Sequence, residues 1–529
     1  MSVRRHPGFP KWFVPRAACP LAGTVLGALL LAGCTVGPKY HKPSAPIPAN
    51  YKENPANFPD QQVWKVADSQ QAMLRGKWWE IFNDAELNTL EDQLDASNQT
   101  IAQAYQNYMA ARALVQQARS QYFPTVTTSP SVTRSAISAN VGGANSSSSS
   151  SGSGSGSGSS SSSATNLFSL PGDVSWEPDL WGRVRNTVNQ ARYAAQVSAA
   201  DLANVRLSQQ SSLAQLLFQI RGQDALQKVF NDTVIADRKT VDYAQAQYET
   251  GVGDKISLVE AQTALQSAEA AAIAVGLTRA QFEHAIAVLI GKTPAEFSVP
   301  VKILESIPPP VPIGVPSHLL ERRPDVASAE RTMAEANAQI GIAYAAYYPN
   351  VTLSASGGFE STSFTSWLAW PSRFWSIGAS LSETIFDAGL RRAQVRQFTA
   401  LYHADVAGYR QTVLTAFQQV EDFLAAERIL SQQTDKQIEA VASAQQFFDL
   451  EYDRYQTGID PYINVLTAQN TLLGDQQALV NLQTQRMTSE VQLIVALGGG
   501  WDDRQLPTPA QVSVKDAATG AGTATIPPK

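Results

Sequence analysis

Cysteine is almost absent from this chain: there are two in 529 residues, and Cys19 lies in an N-terminal leader, so Cys34 has no partner for an internal disulfide. Histidine is sparse as well. His41, His284, His318 and His403 show no ligand spacing, and no Ser/His/Asp or paired-carboxylate constellation gathers anywhere in the sequence. The sequence therefore points away from an enzyme, and no metal and no cofactor beyond a covalent lipid is expected. Excess positive charge is missing too. The first 33 residues hold Arg4, Arg5, Lys11 and Arg16 and no acid, and the remainder has 36 bases against 46 acids, a net of −10. That balance offers nothing to a nucleic-acid backbone. Proline is absent between Pro178 and Pro294 and again between Pro371 and Pro461, which leaves room for very long helices.

What the chain does have is a repeat. Tyr248 to Leu265, YETGVGDKISLVEAQTAL, returns 207 positions later as YQTGIDPYINVLTAQNTL, Tyr455 to Leu472. Each copy reads as the turn between two helices, with Gly251 and Gly458 taking the left-handed conformation past a helix C-terminus. Gly253, Asp254 and Asp460 complete the two turns as turn formers or exposed partner contacts.

The leader has a basic start and an apolar run, Leu21 to Ala32, that is too short to span a bilayer. It ends in Leu31-Ala32-Gly33-Cys34, so residues 1–33 read as a signal peptide and Cys34 as the residue that receives lipid. Residues 34–76, rich in proline and polar side chains, read as an extended tether without a core. Trp78 and Trp79 are expected to be packing residues, and Asp84 to open a helix running unbroken to about Phe123.

From Pro124 the pattern changes to Thr, Val and Ser in loose alternation, which favours strands. One hairpin spans Pro124 to Glu177 and carries the Ser/Gly-rich loop 146–163; a second spans Val351 to Phe386. Pro124 and Pro349 differ by 225 positions, so the first hairpin is 18 residues longer, the length of that loop. Loop length costs little closure entropy. After each tip, apolar residues recur at heptad spacing, interrupted at the same register by Arg279 and Arg486, which are either buried pairs or solvated positions. Residues 77–300 and 301–498 thus form two copies of one unit, and 499–529 read as a disordered tail. Two hairpins supply four strands, too few to close a barrel, and an open edge is not tolerated in a membrane. The missing strands are expected from further copies of the chain, twelve strands from three.

The motifs Leu31 to Tyr40 (LAGCTVGPKY), Trp78 to Phe82 (WWEIF), Leu320 to Val326 (LERRPDV), Ala336 to Gly341 (ANAQIG) and the two tips together resemble the lipoprotein branch of TolC-type outer-membrane factors. The resemblance implies a mainly α protein with a membrane β-barrel portion. In it a homotrimer forms a twelve-stranded barrel in the outer membrane and a periplasmic α-barrel of long coiled helices. Its function would be that of an exit duct for small molecules, working with a periplasmic adaptor (membrane-fusion protein) and an inner-membrane resistance-nodulation-division transporter. A duct for type I protein secretion and a non-conducting lipid-anchored scaffold are the alternatives. Carried over by register, the periplasmic gate falls on Ile463, Asn464 and Thr467, with Ser257 and Glu260 at the matching positions of the first tip. Asn464 and Thr467 are neutral where relatives often have aspartates, so a carboxylate at the gate would have to come from Glu260. Arg322-Arg323-Pro324-Asp325 is explained as a helix start.

Overall fold

The computed structural model describes residues 35–53, 65–66, 76–136, 164–304, 308–309, 311–313 and 321–513. The leader, Cys34, the loop 146–163 and the segment after Ser513 lie outside the described residues. In chain order the elements are β1 (Lys65–Val66), α1 (Ala85–Ser97), α2 (Gln99–Ser120), β2 (Thr125–Thr128), β3 (Ser131–Ser135), β4 (Thr165–Trp176), α3 (Arg183–Glu249), α4 (Lys255–Leu289), β5 (Pro312–Ile313), α5 (Pro324–Ala345), β6 (Asn350–Ser361), β7 (Arg373–Ser382), α6 (Leu390–Gln456) and α7 (Tyr462–Ala496). The chain forms two compact units, one of Met1–Tyr40, Gln116–Gln190 and Ala336–Ala400, the other of His41–Val115, Ala191–Glu335 and Leu401–Lys529.

The repeat is carried into the backbone residue by residue. α3 and α6 each have 67 residues, α4 and α7 each have 35, and the bounds 183, 249, 255 and 289 recur at 390, 456, 462 and 496, always 207 later. These helices are rich in Ala, Gln and Leu, strong helix formers, and hold no proline. α2 and α5 both have 22 residues and are offset by 225, as the extra loop requires.

The first unit holds the sheet. Its order is β2-β4-β6-β7, with β3 also pairing β4, and all pairings are antiparallel. The first hairpin strand expected from Pro124 is therefore two short strands, interrupted at Ser129-Pro130, because proline cannot donate to the ladder. The two halves meet at β4 and β6, where Pro171 pairs with Gly358 and Gly172 with Gly357. A Cβ on Gly358 would run into the Leu170 carbonyl, so this strand contact requires glycine.

Three expectations are corrected in the second unit. The helix after Asp84 is not continuous: it breaks at Asn98, which is extended at φ −66° and ψ 122°. The break is made by tertiary contacts, since the Asn98 amide donates to the Leu289 carbonyl at 2.8 Å and Ser97 Oγ to the Ile290 carbonyl at 2.6 Å, both at the end of α4. The tail is ordered as far as Ser513: Val512 is buried with Val115 and Ala195, Arg192 Nε donates to Ser513 Oγ at 2.9 Å, and Gln196 donates to the Pro507 carbonyl at 2.8 Å. Composition suggested disorder, but these contacts against α2 and α3 supply the burial that the tail lacks alone. Residues 41–53 lack regular structure yet are held down, with Tyr51 buried and Glu53 in a two-pronged ion pair with Arg428, both contacts 2.9 Å.

Both copies secure the end of the returning helix in the same way. Arg323, at the position of Asn98, donates to the Ala496 carbonyl at 3.0 Å and pairs with Asp325. Gly291 and Gly498, both at positive φ, pass so close to the backbones of Ser97 and Arg322 that a Cβ would clash. The two seam arginines are partly buried and paired with buried acids: Arg279 with Asp224 and Arg486 with Glu427, each at 2.6 Å. Trp78 and Trp79 pack edge to face in the interior, as expected of packing residues.

One buried acid has no counter-charge. Glu91 in α1 is 0% exposed, neither carboxylate oxygen has a partner, and burial, with Asp95 and Asp92 nearby, pushes its pKa up to about 10. Folding therefore favours the protonated acid, and stability falls as pH rises from about 4.5 towards about 10. Glu91→Gln should remove that decline. In detergent, unfolding free energies of wild type and variant should nearly coincide at pH 5 and separate by pH 9, by several kcal/mol in favour of the variant. Parallel pH profiles would refute the uncompensated acid.

Candidate functional site

The two tips share one capping geometry. Gly251 and Gly458 have φ +73° and +75°. In the first tip the Val252 N–H reaches back to the Gln247 carbonyl at 3.0 Å; in the second the Ile459 N–H reaches the Arg454 carbonyl at 2.9 Å. These are the six-to-one bonds of a Schellman C-cap, and they orient each turn identically. The exits differ. Asp254 is the N-cap of α4, accepting from the Ser257 N–H at 2.8 Å, and this bond holds its carboxyl below the usual range. Its repeat position is Pro461, which brings fixed φ but no acceptor. Asp460 instead pairs with Arg454, which lowers its pKa. Gly253 lies against Gln247, where a Cβ would come within 2.8 Å of the Gln247 Cβ. Asp254, Gly253 and Asp460 thus act first as turn formers.

Behind the turns an aromatic cluster ties the two hairpins together. Ala244, Leu258, Ala261, Tyr455, Tyr462 and Val465 form a buried core. Tyr455 packs on Tyr243 and Tyr462 at ring distances of 5.7 and 5.4 Å. Two hydroxyls cross between α3 and α6: Tyr243 donates to the Gln456 carbonyl at 3.0 Å and Tyr455 to Gln247 at 3.3 Å. Deeper in, Gln469 of α7 donates to Asp237 of α3, both buried; burial raises the Asp237 pKa and the Gln469 bond opposes it. These links were not legible beforehand. Gln262 and Gln469 match in the repeat, yet Gln262 is exposed and only Gln469 has this partner.

The expected gate residues do not converge within one chain. Ile463 is 49% exposed, Thr467 is exposed with its hydroxyl bonded to the Ile463 carbonyl at 2.8 Å, and Asn464 is half-buried. Ser257 and Glu260 are half-buried on α4, where Glu260 lines a cavity of about 420 Å³ shared with Asp237 and Gln469. Ile256, Val252 and Ile459 are exposed apolar neighbours of the same turns.

In the other unit the sheet separates its side chains by chemistry. On one face lie Val126, Leu170, Val174, Trp176, Val351, Leu353, Phe359, Trp375, Ile377 and Leu381; on the other lie Thr127, Asp173, Ser175, Ser354, Ser356, Ser376 and Ser380. Val126, Trp375, Ile377 and Leu381 are 70–79% exposed, so these positions of the apolar face are uncovered among the described residues. β7 and the β2 and β3 pair are the edge strands among the described residues. No helix among the described residues is long and apolar enough to cross a membrane. The sheet has the polarity of a barrel wall, apolar outside and hydroxylated inside.

The sequence matches the outer membrane efflux protein family over residues 90–292 and 315–499. This chain belongs to the outer membrane efflux protein family. It is 31% identical over 502 residues to the toluene efflux pump outer membrane protein TtgC of Pseudomonas putida, covering 94% of this chain and 98% of that protein. It is 30% identical over 505 residues to the outer membrane protein OprJ of Pseudomonas aeruginosa, covering 90% and 95%. Its fold matches the outer-membrane channel OprN with a TM-score of 0.77 at 26% identity, over 88% of this chain and 100% of that one. This efflux protein is an outer-membrane channel reaching into the periplasm, and its family are not enzymes and use no cofactor. Among the described residues no group of acids, histidines or cysteines is placed to hold a metal.

The tip geometry makes a backbone prediction. Nothing lies within 4 Å of a Cβ on Gly458, so Gly458→Ala would cost about 1 kcal/mol through its left-handed φ alone. Gly474→Ala, in open space within α7, should instead be neutral or stabilising. Hydrogen exchange of the amides at 454–460 should quicken in the first variant and not in the second. Equal protection in both would sink the capping account.

Proposed function

We propose that this efflux channel is the exit duct of a tripartite pump and works as a homotrimer anchored by lipid on Cys34. The observation that carries the reading is the sheet, with β2 and β3 sharing one of its four strand lines, whose apolar face is uncovered and whose two edges are unpaired among the described residues. In hydrocarbon each edge N–H and C=O left unsatisfied costs several kcal/mol, so the sheet requires closure. Three copies give twelve strands, with the Ser, Thr and Asp face turned to a water-filled lumen. The long helix pairs continue that lumen through the periplasm, and the tips receive a periplasmic adaptor and an inner-membrane resistance-nodulation-division transporter. Its cargo would be small amphipathic or apolar compounds, in keeping with the names of the toluene and antibiotic pump relatives.

Gating is assigned to the tips. Exposed Ile463, with Asn464 beside it and Thr467 a turn on, would meet its copies around the axis and narrow the lumen, and Ser257 and Glu260 would line the neighbouring helix. The Tyr243, Tyr455 and Asp237–Gln469 links hold the two hairpins of one chain together at rest, so opening would require them to slip. Gly251, Gly253, Asp254, Gly458 and Asp460 shape the turns offered to the adaptor.

Single-channel conductance in planar bilayers tests this. Wild type should show a small resting conductance, and Ile463→Ala with Glu260→Ala should raise it several-fold. Tyr455→Phe alone should produce a smaller rise, because it removes one cross-link and leaves the constriction. If neither wild type nor variant conducts, the duct reading fails.

A further inference from the structure

The passage from β7 into α6 carries an exposed apolar step followed at once by two uncommitted cations. Ile385 and Phe386 are 95% and 85% exposed, just beyond the apolar strand face that ends at Leu381. The turn itself is closed by Asp387, which accepts from the Gly389 N–H at 2.9 Å and from Arg391 Nε at 2.7 Å. Arg391 is fully engaged. It also donates to the carbonyls of Ala346 and Thr384 and lies over the Tyr347 ring at 5.4 Å.

Arg392 and Arg396 are different. They are four residues apart, on one face of α6, and both are exposed. Arg396 bonds only the Arg392 carbonyl of its own helix, at 3.5 Å, and among the described residues neither arginine forms an ion pair. The feature is not imposed by the repeat. In the first half the matching positions are Pro178, Asp179, Arg185 and Asn189, and Arg185 is held by Asp179 at 3.1 Å. Exposed apolar side chains directly followed by exposed guanidinium groups match a lipid in cross-section, acyl chain first and phosphate next.

We propose that Arg392 and Arg396, with Ile385 and Phe386, bind one anionic phospholipid of the periplasmic leaflet, such as a phosphatidylglycerol. The arginines hold its phosphate, bidentate geometry favouring guanidinium over ammonium, and the two apolar side chains lie against its acyl chains. The assignment rests on the sheet being membrane-facing. A zwitterionic lipid would bind more weakly because its ammonium opposes the two arginines.

The mature protein, reconstituted in phosphatidylethanolamine vesicles, would be examined by electron spin resonance with trace spin-labelled phosphatidylglycerol or phosphatidylethanolamine. Wild type should hold the anionic label in preference to the zwitterionic one. R392Q with R396Q should reduce that preference by about fivefold or more, from the attraction of basic side chains to anionic lipid. R392K with R396K should keep most of it. Excess inorganic phosphate at matched ionic strength should leave it unchanged; displacement would mean a phosphate-ion site and overturn the lipid. Equal binding of both labels by wild type, or an unchanged preference in the glutamine pair, would also overturn it. If the glutamine pair does not assemble, the wild-type comparison decides alone. Failure of wild type to float with the vesicles would refute the membrane-facing sheet itself, whereas a floating protein with no preference refutes only the lipid site.

Discussion

A backbone hydrogen bond left open in hydrocarbon is the constraint on which the rest of this protein depends. The sheet has four lines of strand, an uncovered apolar face and free edges on β7 and the β2 and β3 pair. Neither side chains nor loops of the same chain cover those edges among the described residues. In the proposed trimer, assembly would be part of how the sheet becomes stable, and a lumen would follow from it, because the other face is lined with hydroxyls. At the seam between the halves the strands come too close for a Cβ at Gly358.

Duplication supplied the helices, and divergence supplied their differences. The bounds of α3 and α4 repeat without slippage in α6 and α7 at 207 residues, and the close passes of Gly291 and Gly498 repeat with them. The cap on the returning helix changed chemistry, however, from the neutral amide of Asn98 to the guanidinium of Arg323. A charged donor makes the stronger bond, and Arg323 is balanced by Asp325. The seam arginines found acids on the preceding long helices, and being nearly buried, each would be costly to leave without its partner. At the tips the two halves cease to be equivalent. One turn is capped by Asp254 and the other is tied by Arg454 and Asp460, so the two hairpins of one chain need not move alike.

The sequence by itself determined the repeat, the strand and helix regions and the glycine caps. Each of these follows from local rules: proline ends helices, glycine alone accepts a left-handed φ cheaply, and Thr, Val and Ser alternation favours strands. The family resemblance rested on the two tips together with the motifs at Leu31 to Tyr40, Trp78 to Phe82, Leu320 to Val326 and Ala336 to Gly341. Tertiary structure alone decided the break at Asn98, the ordering of the tail to Ser513, the pairing of Arg279 and Arg486 with buried acids, and the selection of Gln469 over Gln262 as the partner of Asp237. In every one of these cases the deciding group lies far away in sequence, so no local pattern records it. The proposed gate residues belong to a third kind. Ile463, Asn464 and Thr467 remain a surface within one chain, and their meaning depends on the copies that would surround them.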